Sequence, residues 1–481
     1  MSVVMRRHPR EMLELVRRLR RQGVATEADL RLLLPRIAGG AGELWRQDLT
    51  IGKEITAGTP VATTRKMYGD VAKKAGFARL RPPHLIDVMT GTRDNQRDIK
   101  LRAVQIDGTF DQPISPAENL EIFAAAFSSG VTPTAVVTAP APAAGTGVAG
   151  AGTTAFTAGV YTFLITQWGA DGETLASPTA TVTLTAGQQF VVTGPALGSG
   201  MTNTNVYLAA VGTTTPRYYA ATAVGTTVTV TAVASGTVQA PTIVGQEWVF
   251  TPNSTSSNPV DSQTWEWYDG ARNWQIAGVM VDELDMSGTI ATDTMLTAKL
   301  FGRQMLLNAA SAAPAERLPD FLEGWEAKVY IDAIGGTPGT TEAPLTVLDY
   351  SLAFKNNLGR KYFADNTLQL GEVVVGALGL QATITMEAAS TFAAAEYANW
   401  DANAHRLIRL ELGNNEAIGG GQNQAKKLIR IDIPAGWTAV DLTPEDAETK
   451  VYKFTAEYIY DPVNAFGCRV TAINERTTMY A

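Results

Sequence analysis

The chain has 481 residues, a net charge of -8, 45% apolar residues and 18% charged residues. That length and apolar share allow two to four domains with large cores and exclude wholesale disorder. The acidic balance argues against a protein built to grip nucleic-acid phosphates. One cysteine, Cys468, excludes a disulfide framework and cysteine-based zinc sites, and three histidines leave little for a histidine metal site.

The first ten residues, MSVVMRRHPR, place apolar residues before basic ones. A secretory signal has the reverse order, so no export signal is expected. No apolar run approaches the 18 residues of a membrane span, so no membrane partner is expected. Met12, Leu15, Val16 and Leu19 stand at helical spacing and Gly23 ends the run; a second short helix follows from a Thr26 cap to Pro35. Residues 1–50 thus read as a helical arm. They hold ten arginines against six acids, so the rest of the chain carries a net charge of -12.

After strand-like segments around 96–113, SPAENLEIFAAAF predicts a helix with Ser115 as cap, Pro116 at the first position and Glu118 completing a capping box. Residues 131–245 then change composition: only Asp171, Glu173 and Arg217 are charged. Strand-length runs such as GVYTFLITQW, TATVTLTAG and TNVYLAAV alternate there with turn signals, which predicts a small β-sandwich. The order GVYTFLIT, DGETLASP, VTLTAG resembles the immunoglobulin or fibronectin-III modules that decorate phage structural proteins.

The remaining chain reads mostly as strands. In LGLQATITMEA, Leu380, Ala382, Ile384 and Met386 share one face, with Gln381, Thr383, Thr385 and Glu387 on the other. KVYKFTAEYIY sets Phe454 and Ala456 against Lys453, Thr455 and Glu457 in the same way. Such alternation means sheets with one packed and one wet face. STFAAAEYANWDANA predicts a second helix. Strand, helix, then further strands occurs twice, once on each side of about residue 345.

The expectation is therefore a mainly β protein. It has duplicated β-sandwich or barrel units, each with a flanking α-helix, an inserted immunoglobulin-like sandwich and a short helical amino-terminal arm. The arm is placed at 1–50, the first unit at 51–130 and 246–345, the insert at 131–245 and the second unit at 346–481.

The catalytic motifs GxSxG, HExxH and GxxxxGK[ST] and the EF-hand loop are absent. No catalytic residue, cofactor or metal site is expected. IGGGQNQ (418–424) lies between two alternating strands and reads as a flexible hairpin rather than a phosphate cradle. Asp282, Glu283 and Asp285 form a carboxylate cluster. Paired acids could serve glycoside hydrolysis or calcium binding, but no further ligand set is nearby, and an acidic strand edge facing solvent or a pore fits better. Trp265, Trp267 and Trp274 could stack on a base or sugar; burial in a core or a subunit contact fits better.

Several segments in order resemble bacteriophage tail tube proteins, also called major tail proteins, of the long non-contractile type. They are GKEITAGTPVATTRKMYG (52–69), GTRDNQRDIKLRAVQIDGTF (91–110), TWEWYDGARNWQIAGVMVDELDMSG (264–288), FLEGWEAKVYIDAIGGTPGTT (321–341), NNLGRKYFADNTLQLGE (356–372) and YIYDP (458–462). The arm and the internal position of the insert depart from the pattern. The resemblance implies a structural virion subunit, made in the host cytoplasm and not an enzyme, that forms stacked rings through which genomic DNA passes. Its partners would be further copies of itself, a tape measure protein in the lumen during assembly, tail terminator and tail tip proteins, and DNA in transit without tight binding. Two units per chain favour a trimeric ring over a hexamer. Asp282, Glu283, Asp285, Glu387 and Glu457 are the lumen or rim candidates, and loops 52–82 and 356–370 the ring-to-ring connectors. The competing expectation is a carbohydrate-active or glycan-binding β-rich protein.

Overall fold

The computed structural model describes residues 48–69, 76–87, 96–152, 156–215, 217–232, 236–252, 260–308, 311, 314–317, 319–343, 346–364 and 369–480, with backbone alone at 83–87, 96–98 and 101. The protein is mainly β, 50% strand against 5% helix. The helices expected in the amino-terminal arm lie outside the described residues.

The chain opens with β1 (Asp48–Lys53), β2 (Arg65–Lys66), β3 (Gly76–Leu80), β4 (Pro83–Asp87), β5 (Gln96–Leu101), β6 (Gln105–Pro113), helix α1 (Leu120–Ala126) and β7 (Thr134–Ala135). The insert holds β8 (Thr146–Gly150), β9 (Gly159–Gly169), β10 (Gly172–Glu173), β11 (Ala180–Leu184), β12 (Gln189–Thr193), β13 (Met201–Ala209), β14 (Arg217–Val224) and β15 (Thr227–Val230). Then come β16 (Gln246–Phe250), β17 (Gln263–Tyr268), β18 (Asn273–Thr289), β19 (Met295–Gly302) and β20 (Gln304–Leu307). The last part comprises β21 (Ala327–Ala333), β22 (Val347–Lys355), β23 (Gly359–Lys361), β24 (Glu372–Val374), β25 (Gly379–Glu387), helix α2 (Thr391–Asp401), β26 (His405–Leu412), β27 (Leu428–Asp441), β28 (Glu445–Asp446), β29 (Thr449–Tyr458) and β30 (Arg469–Asn474).

The duplication is explicit in the pairing. Strands β1, β3, β6, β17, β18, β19 and β20 correspond in order to β21, β22, β25, β26, β27, β29 and β30, and α1 to α2. Six antiparallel pairings recur: β1–β17 as β21–β26, β3–β6 as β22–β25, and β6–β19 as β25–β29. Likewise β17–β18 recurs as β26–β27, β18–β19 as β27–β29, and β18–β20 as β27–β30. Even the bulges correspond. The long strand of each unit breaks register between Val281 and Glu283 or between Trp437 and Ala439, bending from an outer sheet into an inner one.

The two inner sheets merge. The second half of β18 pairs with β22, giving an eight-stranded arc ordered β3–β6–β19–β18–β22–β25–β29–β27 that forms a half-barrel. One side of the arc rests on one continuous core that includes Phe110, Leu284, Phe354, Ile384 and Phe454.

Three expectations need correction. The second unit begins near residue 327 rather than 346, because β21 pairs with β26 along its whole length. β16, expected in the first unit, pairs with β30 and so joins the outer sheet of the second. The first helix starts at Leu120 with Asn119 before it, and only half of the Ser115–Glu118 capping box forms: the Ser115 hydroxyl accepts the Glu118 amide at 3.3 Å, but the Glu118 carboxylate does not reach back. Arg65 takes the Glu118 carboxylate at 2.6 Å, and the Asn119 side chain accepts the Ser115 amide instead. Helix α2 begins as a capped helix should, with the Ser390 hydroxyl accepting the Ala393 amide at 3.0 Å.

The insert is a two-sheet sandwich, with β9–β13–β14 flanked by β10 and β11 against β8–β12–β15. Phe163, Ile165, Phe190 and Val206 fill its core. It leaves and rejoins the body at one place, where Ala135 of β7 faces Gln246 of β16.

Candidate functional site: an acidic sheet face with open edges

The alternation of the inner strands puts one side of the half-barrel in the core and leaves the other side polar. Cross-strand register arranges that polar side in rungs. One runs Asp111, Thr297, Asp285, Ala353, Gln381, Glu457. Another runs Thr289, Asp349, Thr385, Lys453, Asp441. Glu283 stands between Lys299 and Lys355, and Glu387 ends β25 on the same side. The face thus carries seven carboxylates and three lysines.

Local bonds hold these acids upright. Gln381 Nε2 donates to Glu457 at 2.8 Å, and the Thr385 hydroxyl donates to Asp349 at 2.8 Å. Lys299 pairs with Glu283, which pushes the lysine above its usual range. Burial raises the Asp285 carboxyl, and nearby Lys299 only partly offsets that. The Thr443 hydroxyl and amide hold Asp441 below the ordinary carboxylate range.

Four of the five acids singled out from the sequence, Glu283, Asp285, Glu387 and Glu457, share this face. Asp282 does not. It occupies the bulge of β18, and its carboxylate accepts the Leu358 amide at 2.9 Å. Nor is VDELD a strand edge, because β18 is interior, with β19 on one side and β22 on the other. Asp111, Asp349 and Asp441 were missed, although the alternation in VLDYSLAFK already places Asp349 on the polar side.

The arc ends on two open edges. Among the described residues, β3 pairs only with β6, and residues 437–441 of β27 pair only with β29. Apolar side chains stand at both: Leu80 is 51% exposed and Leu442 44%. Unpaired strand edges are templates for further strands, and soluble chains usually blunt them.

Loops gather at one end of the arc. Residues 54–64 follow β1, and the β23–β24 hairpin leans over the first unit. Leu358 and Leu370 of the hairpin pack on Met280 and Phe301, and Arg360 reaches Asp107 at 2.6 Å. Ile55 is the most exposed large apolar residue described.

The other features singled out from the sequence are structural. Trp265 is buried edge-on against Phe77 and Phe110. Cys468 is buried, which pushes its thiol well above the ordinary range. The IGGGQNQ loop is clamped to the insert. The buried Glu173 carboxylate accepts the Asn423 amide at 2.8 Å and the Tyr207 hydroxyl at 2.6 Å, and Tyr207 in turn accepts the Gln422 amide at 2.9 Å. Burial, then Glu173, drives the Tyr207 phenol far above its usual range. Three successive positive-φ glycines, Gly419 to Gly421, give the loop the turn this contact needs.

Among the described residues, no carboxylate or histidine lines a cavity of about 430 Å³ near Phe127, Leu378, Tyr458, Tyr460 and Cys468. No described helix is long and apolar enough to cross a membrane. No family model matches the chain, and no curated protein matches it.

Proposed function

We propose that this chain is the structural subunit of a bacteriophage tail tube, assembling into stacked rings that conduct genomic DNA into the host cell. The observation that carries this reading is the half-barrel, polar and acidic on its free side and open at both edges. Closure by further copies removes both edges at once. It also turns the acidic face into the wall of a bore. Duplex phosphates are repelled there, whereas each neutralised phosphate would add a salt-dependent anchor.

Dimensions favour three chains per ring. Strands spaced about 4.8 Å apart and tilted about 40° give a barrel backbone diameter of about 48 Å for three eight-stranded arcs. Six chains would give about 96 Å, far wider than a duplex needs, and one chain alone about 16 Å, which side chains fill. Three chains also place six like units around the axis. In this reading the insert projects outward, and the tape measure, terminator and tip proteins are the axial partners.

Electron microscopy of the purified protein tests this. Rings or tubes with an open bore and three chains per ring are expected. Monomers, or oligomers without a central hole, would overturn the reading.

A further inference from the structure

We propose that a second copy of this chain docks head to tail, laying its β3 along the open part of β27 and covering helix α2, in a contact that repeats the internal seam residue by residue. The inference rests on the tube reading and adds its partner surface.

The internal seam supplies the template. Within one chain, β18 of the first unit pairs with β22 of the second from Glu283–Lys355 to Thr289–Asp349. Helix α1 lies at that seam, and all seven of its residues are buried. Second-unit groups cover it. Phe354 of β22 meets Phe127 edge-on at 4.8 Å, and Asn356 Nδ2 donates to the Ala126 carbonyl at 2.8 Å. The carboxy-terminal segment closes over it through the Arg476–Glu121 ion pair.

The corresponding surfaces of the second unit are bare. In α2 only Ala393 and Glu396 are buried, and Tyr397 is 37% exposed. Ala394, Ala395 and Ala398 face solvent. The β27 segment equivalent to the paired half of β18 has no outer partner among the described residues. The same helix and the same strand are covered in one unit and uncovered in the other. The difference is that the first unit has the second beside it within these 481 residues, and another copy can take the same place beside the second. That copy would offer β3, the equivalent of β22, which has no outer partner among the described residues either.

The correspondence fixes the register. Lys299 faces both Glu283 and Thr109, and Thr455 faces both Ala439 and Thr383, so Glu283 matches Ala439 and Thr109 matches Thr383. Lys355 faces Gly379, four residues before Thr383; Leu80 faces Gln105, four residues before Thr109. Leu80 therefore matches Lys355. Between copies Ala439 then faces Leu80, and Asp441 faces Ala78. At these two pairs the internal Glu283–Lys355 charge pair and Asp285–Ala353 become apolar and mixed contacts. The solvent exposure of Leu80 in the single chain agrees with that.

The test is thiol cross-linking in the full chain with a short bifunctional maleimide. Ala439→Cys with Leu80→Cys should give a ladder on a denaturing gel that ends at three chains. Each single variant should give none. The internal control, Asp285→Cys with Ala353→Cys, should cross-link within one chain. As a second readout, Tyr397→Cys should react with maleimide at least tenfold more slowly in rings than in dissociated chains. Rings without the double-variant ladder, or with Leu80→Cys cross-linking to itself, would overturn the seam. Unchanged labelling of Tyr397→Cys in rings would overturn the covering of α2. A ladder running past three with no ring in the microscope would uphold the seam and overturn the tube reading.

Discussion

Glu54 and Asp332 are counterparts in the two units: each is a buried carboxylate at the end of the first outer strand, four residues before a Gly-Thr-Pro turn. Glu54 accepts the Gly58 amide at 2.6 Å, the Gly278 amide at 2.8 Å and the Thr264 hydroxyl at 2.9 Å. Asp332 accepts the amides of Gly339 at 2.8 Å, Thr340 at 3.2 Å and Thr341 at 2.8 Å. A carboxylate that gathers several amides converts a loop into a fixed shape, because the alternative is unpaired buried donors. Glu54→Ala and Asp332→Ala should each lower stability by about 2–4 kcal/mol, read from the denaturant midpoint. Midpoints equal to wild type for both would show that the loops hold themselves.

Arg476 should be the most sensitive charge in the core. It joins Glu121 on α1 and donates to the Ala117 carbonyl, while Arg65 holds Glu118 beside it. Burial pushes the Glu121 carboxyl upward even with both arginines present. Arg476→Ala leaves the buried Glu121 with only the longer 3.5 Å contact to Arg65, and the expected loss at neutral pH is about 3–5 kcal/mol. In acid the weakly paired Glu121 takes a proton, so the loss should be smaller at pH 5 than at pH 7. A loss that does not change with pH would mean that packing, not charge, is what Arg476 supplies.

Asp285 gives a second pH signature. Its folded-state carboxyl is raised, so the folded protein binds that proton more tightly than the unfolded chain. The stabilising contribution is fully present below the unfolded value of 3.8 and is lost as pH rises through the raised folded value. Asp285→Asn should therefore be more stable than wild type at pH 7, with the advantage fading toward pH 4. Thermal unfolding across that range measures it; an advantage that grows in acid would contradict the assigned direction.

Reversing the charge of the polar face tests its role toward DNA. Tubes carrying Glu387→Lys with Glu457→Lys should still assemble, since both side chains point away from the core. They should retain duplex DNA at low salt, with log affinity falling by about 0.9 per neutralised phosphate for each unit of log salt. DNA retention no greater than that of wild-type tubes would place this face outside the bore.

The insert should be dispensable for assembly. Ala135 and Gln246 are paired neighbours, so a two-residue turn can join them without strain. Tubes lacking 136–245 should form with a thinner outer profile. Loop 418–424, deprived of Glu173 and Tyr207, should become the first site of proteolytic cleavage. Loss of all assembly on this deletion would move the insert into the ring contact.

Local periodicity made much of this molecule legible from the sequence. Alternation over 380–387 and 452–458 sorted core from polar side chains, and the alanine-rich run of STFAAAEYANWDANA gave α2. The charge gap over 131–245 marked the insert. These features depend on neighbours a few residues apart, whose geometry is set by a period of 2 or 3.6. The repeated acid and Gly-Thr-Pro at 54–60 and 332–338 was also open to view, as direct sequence support for the duplication.

Only tertiary structure decided which strands meet. That β18 is an interior seam, that β16 crosses into the second unit, that Glu118 answers Arg65, and that Asp282 turns to the Leu358 amide all depend on pairings between segments far apart in sequence. No periodicity encodes such choices, because strands with the same alternation are interchangeable until bulges, turns and core shape fix one partner and one register.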